Sequence, residues 1–184
     1  YSAANRRSET VFASTRFGNV LGSNGSVVEI FKNQLKRKQP LTLTHQDMSR
    51  FVMSKSEAAK LVINSIEMAH GGEVFITKMP VLEIMDLAKA MHQLSNSNNQ
   101  LELDTIGIKP GEKLYEELMS QEEMKRAVEL DNYFSIIPAT ENKESYIKYY
   151  HDLKSETVEN PYNSSLEPKM SIDDIKTLLS LIEL

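Results

Sequence analysis

A glycine-punctuated segment near the start of the chain carries side chains that could contact a polar ligand. Gly18, Gly22 and Gly25 follow an apolar-alternating run at residues 11–16, and Asn19 lies between the first two glycines. A pattern with helical spacing comes next. A strand that leads through a loop into a helix is how α/β proteins build ligand sites, because the amides at the start of a helix attract anions.

Local sequence leaves three interpretations of this loop open. The glycines could form a dinucleotide fingerprint, with Asp47 about where its ribose-binding acid would lie, although their spacing is G-x-x-x-G-x-x-G and not G-x-G-x-x-G. They could punctuate a turn that binds nothing. In the third interpretation, the loop amides and Asn19 face an anionic or polar ligand at the start of the helix.

Further along the chain, charged side chains stand at two turns. Arg50 could clamp a phosphate with its planar guanidinium, or it could pair with Asp47 on the surface. Lys109 and Glu112 flank a Pro-Gly turn, where a carboxylate can accept both hydroxyls of a ribose while the lysine meets a phosphate. The alternative is a plain helix start at residue 112, where glutamate is favoured in any case.

The elements that would position these side chains alternate between strands and helices. We predict strands at residues 11–16, 41–44, 73–77, 101–108 and 133–137. We predict helices at residues 26–38, from 54 to the glycine pair at 71–72, and at 84–94, 112–119 and 171–184. The expected buried side of the first helix consists of Val27, Val28, Ile30, Phe31 and Leu35. Such alternation predicts an α/β architecture with parallel strand pairing.

Composition narrows the class of protein. The chain has 184 residues, of which 40% are hydrophobic and 26% charged, and its net charge is −5. The negative balance does not favour nucleic acid as a partner. The absence of cysteine excludes thiolate zinc sites and cysteine nucleophiles, and the four histidines are scattered, so we expect no metal site. No stretch approaches the roughly 20 apolar residues of a membrane span, and we expect a cytoplasmic location.

Several blocks of the sequence, taken in order, resemble the UDP-N-acetylglucosamine (UDP-GlcNAc) 4,6-dehydratases of the CapD, CapE and PseB type. These enzymes are polysaccharide-biosynthesis proteins of the extended short-chain dehydrogenase/reductase (SDR) superfamily. The blocks are residues 16–23 (RFGNVLGS), 25–27 (GSV), 48–51 (MSRF), 56–58 (SEA), 71–75 (GGEVF), 78–80 (KMP), 86–90 (DLAKA) and 107–118 (GIKPGEKLYEEL). Residues 162–165 (YNSS) resemble the tail of the soluble, C5-inverting branch.

The resemblance implies a fold and a reaction. The fold is the C-terminal portion of an extended SDR Rossmann fold, with the last parallel strands and a smaller substrate-binding lobe. We therefore expect residues 1–130 to combine part of the Rossmann domain with that lobe, and residues 131–184 to form a C-terminal region that ends in a helix. The implied enzyme is a lyase that removes water from UDP-GlcNAc in surface polysaccharide or glycan biosynthesis, with inversion at C5 left open.

The resemblance also implies substrate contacts. They are Asn19, Gly22, Ser26 and Val27 in the glycine loop, Arg50 at the pyrophosphate, Glu112 at the uridine ribose and Lys109 near the phosphates. Lysine stands at 109 where the family usually has arginine. Lysine keeps the positive charge but cannot form the paired hydrogen bonds that an arginine guanidinium makes to a phosphate.

The family's glycine-rich cofactor loop and its Tyr-x-x-x-Lys pair come before the block at residues 16–23, and this sequence shows neither. We therefore expect NAD or NADP to be bound mainly by a preceding part of the complete enzyme, and we assign no catalytic residue here. The complete protein is expected to be a homo-oligomer that binds a UDP-sugar, and it could carry an N-terminal membrane region. Two alternatives stay open: a non-catalytic nucleotide-sugar binding or assembly module, and another extended SDR such as a 4-epimerase, although the KPGEKL block argues against the latter.

Overall fold

The computed structural model describes residues 9–23, 25–95 and 99–181. Its helices are α1 (Val27–Lys36), α2 (Lys55–Met68), α3 (Ile84–Leu94), α4 (Gln121–Met124), α5 (Lys143–Ile147) and α6 (Ile172–Ser180). Its strands are β1 (Ser14–Arg16), β2 (Asn19–Val20), β3 (Leu41–Leu43), β4 (Ser49–Met53), β5 (Val74–Thr77), β6 (Val81–Glu83), β7 (Leu103–Thr105), β8 (Glu117–Met119), β9 (Ala127–Leu130), β10 (Tyr133–Ile136), β11 (Leu153–Ser155) and β12 (Tyr162–Asn163).

The chain forms two compact units, and each draws on three separate segments. The first unit comprises the described parts of Tyr1–Phe17, Lys55–Met79 and Glu117–Asn163, and the second comprises those of Gly18–Ser54, Pro80–Glu116 and Ser164–Leu184. The expected domain boundary at residue 130 falls inside the first unit. The C-terminal residues from 131 onward are therefore shared between the units.

A five-stranded mixed sheet, in the order β1-β5-β10-β9-β11, forms the centre of the first unit. β1 and β5 pair in parallel, whereas the other three pairings are antiparallel. The prediction of parallel pairing is thus confirmed for the predicted strands at 11–16 and 73–77, and it is wrong for the predicted strand at 133–137, which pairs antiparallel with β5. Only Asp131 and Asn132 separate β9 from β10, and a connection this short can join antiparallel strands only.

One ion pair in the first unit joins β1 to α4. The Arg16 guanidinium donates to both carboxylate oxygens of Glu123, at 2.6 and 2.9 Å, and also to the carbonyl of Leu118 at 2.7 Å. Glu123 in addition completes a capping box with Ser120 at the start of α4. These hydrogen bonds, that from Arg16 above all, lower the pKa of Glu123 to about 2.

The lowered pKa predicts how the stability of the first unit depends on pH. A carboxyl whose pKa is lower in the folded state stabilises the fold above its ordinary pKa, and that stability is lost as the pH falls towards about 2. We expect Glu123→Gln to lower the free energy of unfolding at pH 7 by about 1–2 kcal/mol, after allowance for solvent around the half-buried Arg16. The difference in the free energy of unfolding between the variant and the wild type should become smaller when it is measured at pH values below 4.5.

The matched control is Glu122→Gln, one residue away on the same short helix. The Glu122 side chain is 72% exposed and lies 3.5 Å from Arg126, so we expect its replacement to change stability by less than about 0.5 kcal/mol. An equal loss in both variants, or a Glu123→Gln difference that is constant with pH, would contradict the assignment.

The second unit packs helices α1, α3 and α6 around short strands. Its strands form the sheet β2-β4-β6 and the parallel pair β3-β7. The buried core includes Phe31 of α1, Leu87 of α3 and Ile175 of α6. The predicted helix at 84–94 is confirmed with the same bounds, and the last helix begins at Ile172 behind a Ser171 capping box. Residues 182–184, the predicted end of that helix, lie outside the described residues.

Two further predictions are wrong. Ile30, expected on the buried side of α1, is 46% exposed, whereas Val28 and Phe31 are buried as predicted. Residues 112–119, expected as a helix, contain no helical turn and end in the strand β8. Gly111 adopts a φ of +85° there, which turns the chain away from a helical course.

Candidate functional site

The second unit contains a cavity of about 400 Å³ beside the start of α1. Its floor is apolar and consists of the buried side chains of Leu21, Val28, Phe31, Met48, Val52, Leu82, Ile84 and Leu87. Its polar lining consists of Asn19, Ser23, Ser26, Thr42, Thr44, Arg50, Lys109 and Glu112. A concave site with an apolar floor and a few convergent polar groups is typical of a small-molecule pocket.

The cavity brings together residues that the sequence predicted as substrate contacts from distant positions. Six of the seven line it: Asn19, Ser26, Val27, Arg50, Lys109 and Glu112. The seventh, Gly22, turns the chain before α1 with a φ of +69°. The lining also includes Thr42, Thr44 and the half-exposed Ile106, which the sequence prediction missed. Threonine and isoleucine are common in strands, so nothing in the sequence distinguished them from structural residues.

The strands explain why these side chains share one wall. Arg50 and Val52 are two residues apart on β4, so they point to the same face of the sheet. Asn19 of β2 lies opposite Val52, and Leu82 of β6 lies opposite Arg50. The three strands therefore present one continuous surface to the cavity.

The glycine loop ends at Ser26, the residue that precedes α1. The Ser26 hydroxyl makes no capping hydrogen bond to the helix, and its oxygen is buried without a partner in the described structure. A buried hydroxyl without a partner is costly, and a ligand oxygen in the cavity would supply one. Ser26 is thus a candidate donor to a bound ligand.

The same loop does not fit a dinucleotide cofactor. The Gly25 amide donates to the Glu29 carboxylate at 2.7 Å, which places a negative charge at the start of α1. A dinucleotide fingerprint instead offers free amides to a pyrophosphate at that point. Asp47 is the candidate ribose-binding acid of that interpretation. Its carboxylate lies 3.9 Å from the His45 Nδ1, and none of its described contacts is with a loop glycine. No step of a reaction is therefore assigned to a cofactor held by this loop.

Glu112 is held in place from two sides. Its amide donates to the Lys109 carbonyl at 3.0 Å, and with Pro110 and Gly111 between them this is the sequence pattern of a type II turn. One carboxylate oxygen accepts the Lys109 amide at 3.2 Å, and the other accepts the Thr44 hydroxyl at 3.3 Å. Each oxygen keeps a further lone pair that can accept a ligand hydroxyl.

Arg50 makes most of its hydrogen bonds to other groups of the protein. One terminal nitrogen donates to the carbonyls of Ser49 and Leu114, at 2.8 and 3.3 Å. The other donates to the carbonyl of Lys113 at 2.9 Å and contacts the sulfur of Met48 at 3.1 Å. The alternative ion pair with Asp47 is not found among the described contacts. The guanidinium brings its charge to the cavity wall while it holds residues 113 and 114 against β4.

Glu116 completes the surroundings of Arg50. Its carboxylate lies 4.0 Å from the Arg50 Nε and accepts the Phe51 amide at 3.0 Å. Burial raises the pKa of Glu116, and the Phe51 hydrogen bond and the Arg50 charge oppose that rise. Glu116 thus lies beside the Arg50 guanidinium without lining the cavity itself.

Two broader classes of site find no support in the part of the chain that the structure describes. Within residues 9–23, 25–95 and 99–181, no three histidine, aspartate or glutamate side chains converge as a metal site would require. Across the same ranges, every helix is too short or too polar to cross a bilayer.

The fold is that of an α/β protein whose second unit contains a cavity with an apolar floor and polar side chains, and comparison with known proteins specifies the family. The chain belongs to the polysaccharide biosynthesis protein family, whose family model matches residues 1–138. This match confirms the predicted membership of the polysaccharide-biosynthesis proteins, and the helices and mixed sheets described above confirm the α/β fold class.

The chain is also similar to individual proteins of known sequence or structure. The chain is 39% identical over 176 residues to the UDP-glucose 4-epimerase of Rickettsia bellii, a match that covers 95% of this chain and 51% of that protein. It is 44% identical over 135 residues to an uncharacterised membrane protein of Methanocaldococcus jannaschii, across 71% of this chain and 40% of the relative. The crystal structure of Pen from Bacillus thuringiensis superposes with a TM-score of 0.85 and 36% identity, over 100% of this chain and 53% of that one. The chain thus spans about half the length of the curated relatives it matches.

Proposed function

We propose that the cavity of the second unit binds the UDP moiety of a nucleotide sugar, UDP-GlcNAc, as the substrate-binding part of a 4,6-dehydratase. The observation that carries the proposal is the convergence of Asn19, Ser26, Arg50, Lys109 and Glu112 on one cavity. These residues supply two cations, a carboxylate and neutral hydrogen-bonding groups. A nucleoside diphosphate offers the complementary set: two phosphates, a ribose diol and a polar base.

The roles follow from the chemistry of each group. Glu112 has a free lone pair on each carboxylate oxygen and would accept the two hydroxyls of a ribose. No partner for the Lys109 ammonium is found among the described residues, so it is available to a phosphate. Arg50 would act on the pyrophosphate chiefly through its charge, because both terminal nitrogens of its guanidinium already donate to backbone carbonyls. Asn19 and Ser26 would donate to the sugar or its phosphate.

The dehydratase reaction needs more than this cavity. A nicotinamide cofactor supplies the hydride chemistry at C4 when it is bound in the complete enzyme. We assign none of its contacts to this chain, whose glycine loop does not fit a dinucleotide. The part proposed for the second unit is to bind and orient the nucleotide so that the hexose reaches the reacting groups.

Calorimetric titration with UDP and with UDP-GlcNAc tests the proposal. We expect the folded chain to bind both ligands with micromolar to millimolar affinity, which corresponds to about −8 to −4 kcal/mol. Circular dichroism establishes the folded state first, and the complete gene product takes the place of the chain if the chain does not fold. A folded protein that binds neither ligand would contradict the proposal.

A second candidate function is a 4-epimerase, because several relatives carry the name UDP-glucose 4-epimerase. The mass of the product separates the two reactions. A dehydratase releases a product lighter than its substrate by one water, whereas an epimerase returns an isomer of unchanged mass. The complete gene product, supplied with NAD or NADP, should convert UDP-GlcNAc to the lighter product. An isomer of UDP-glucose or UDP-GlcNAc as the only product would favour the epimerase.

A further inference from the structure

Residues 113–116 are attached to β4 by hydrogen bonds from both side chains and backbone. Arg50 donates to the carbonyls of residues 113 and 114, at 2.9 and 3.3 Å. The Ser49 amide donates to the Leu114 carbonyl at 2.9 Å, and the Phe51 amide donates to the Glu116 carboxylate at 3.0 Å. This segment follows Glu112 directly, so its position fixes one side of the turn that carries the candidate ribose-binding carboxylate.

Ser164 secures the far end of that segment. Its side chain is fully buried, and its hydroxyl lies 2.9 Å from the Ser49 hydroxyl. The same hydroxyl accepts the Glu116 amide at 2.9 Å, while the Ser164 amide donates to the Glu116 carbonyl at 2.8 Å. One serine thus binds both the backbone of residue 116 and the first residue of β4. It lies outside the lining of the cavity.

The turn that carries Ser164 is itself held by one cation. The Lys169 ammonium donates to the carbonyls of Ser164, Ser165 and Glu167, at 2.7, 3.1 and 2.6 Å. Three carbonyls on one ammonium use all of its donors. Lys169 therefore fixes the backbone of residues 164–167, and with it the position of the Ser164 hydroxyl.

We propose that Ser164 is a positioning residue for Glu112, which it holds in a ribose-binding position through Glu116 and the Arg50-bound segment at residues 113–116. The inference rests on the proposed function, since it assumes that Glu112 contacts the ribose. Removal of the hydroxyl leaves the Glu116 amide without its acceptor in a partly buried place, which favours a local shift of the segment. The carboxylate of Glu112 then moves relative to Thr44 and the cavity floor, although Ser164 itself never touches the ligand.

The ratio of the dissociation constants for 2′-deoxy-UDP and UDP tests the inference. A site that hydrogen-bonds the 2′-hydroxyl should bind UDP at least about tenfold more tightly than 2′-deoxy-UDP. We expect Ser164→Ala to reduce that ratio to about threefold or less, because a displaced carboxylate gains less from the hydroxyl. A smaller folded fraction weakens both ligands equally and cancels in the ratio. Loss of stability alone therefore cannot produce the expected result.

The control is Ser165→Ala, at the exposed neighbour, which should keep the wild-type ratio. Lys169→Met provides a second route to the same result, because it keeps the side-chain stem and releases the carbonyls of residues 164–167; it should lower the ratio in part. If Ser164→Ala does not fold, the ratio measured for Lys169→Met tests the positioning role in its place. If the wild type prefers UDP to 2′-deoxy-UDP and the folded variants keep the same ratio of dissociation constants, the positioning role is overturned. The proposed function then stays intact. A wild type that binds UDP and 2′-deoxy-UDP equally would overturn the ribose assignment itself.

Discussion

Glu112→Gln should weaken the binding of UDP about tenfold to hundredfold, a loss of about 1.4–2.8 kcal/mol. Glutamine has nearly the same shape as glutamate but presents one acceptor oxygen and one NH₂ group. Both Glu112 oxygens already accept a protein donor, from Thr44 and from the Lys109 amide, so the NH₂ group must face one of these donors. The variant loses the negative charge and an acceptor for the ribose. Calorimetric titration with UDP measures the effect directly.

A charge-matched control separates the local contact from the change in net charge. Glu117 is exposed at the start of β8, in the first unit, and does not line the cavity. Glu117→Gln should therefore leave the affinity for UDP within about twofold of the wild type. If Glu112→Gln binds UDP as tightly as this control, Glu112 does not contact the nucleotide.

Phe31→Ala should lower the free energy of unfolding by about 3–5 kcal/mol. Phe31 is fully buried in the core of the second unit and also forms part of the cavity floor. Truncation removes apolar contacts with α3 and the short strands and leaves a void that the neighbouring side chains fill only in part. Urea denaturation followed by circular dichroism measures the loss.

Ile30→Ala is the control for this variant, since the two residues are adjacent on α1. Ile30 is 46% exposed at the cavity, so we expect its truncation to cost less than about 1 kcal/mol. Equal losses for the two variants would contradict the orientation of α1. A fall in UDP affinity in Ile30→Ala without a comparable loss of stability would identify Ile30 as part of the ligand surface.

The longer helices of the fold could be predicted because their sequences carry strong local signals. The helix Ile84–Leu94 has an unbroken apolar stripe, and Ser171 with Asp174 forms a reciprocal cap at the start of the last predicted helix. The strands β2 and β6 were missed because two or three residues are too short to show alternation. The helix expected at residues 112–119 failed for another reason. Arg50, distant in sequence, takes carbonyls that a helix would have used.

The candidate site was easier to predict than the geometry around it. Lys109 and Glu112 stand out because a Pro-Gly turn between two charges is distinctive, and the family resemblance supplied their roles. Local sequence could not reveal that Arg50 faces protein carbonyls, or that Ser164 contacts Glu116, since both depend on contacts between residues far apart in the chain. Ile30 shows the same limit. Periodicity placed it on the buried side of α1, but the cavity interrupts the core at that position.

The central claim is that the cavity of the second unit is a nucleotide-sugar site, and the amide NMR spectrum during titration with UDP tests it most directly. The account predicts saturable shifts at the amides of Asn19, Ser26, Lys109 and Glu112, with the five-stranded sheet of the first unit unaffected. Saturable shifts confined to the first unit, or a folded protein whose spectrum does not change with UDP, would contradict it.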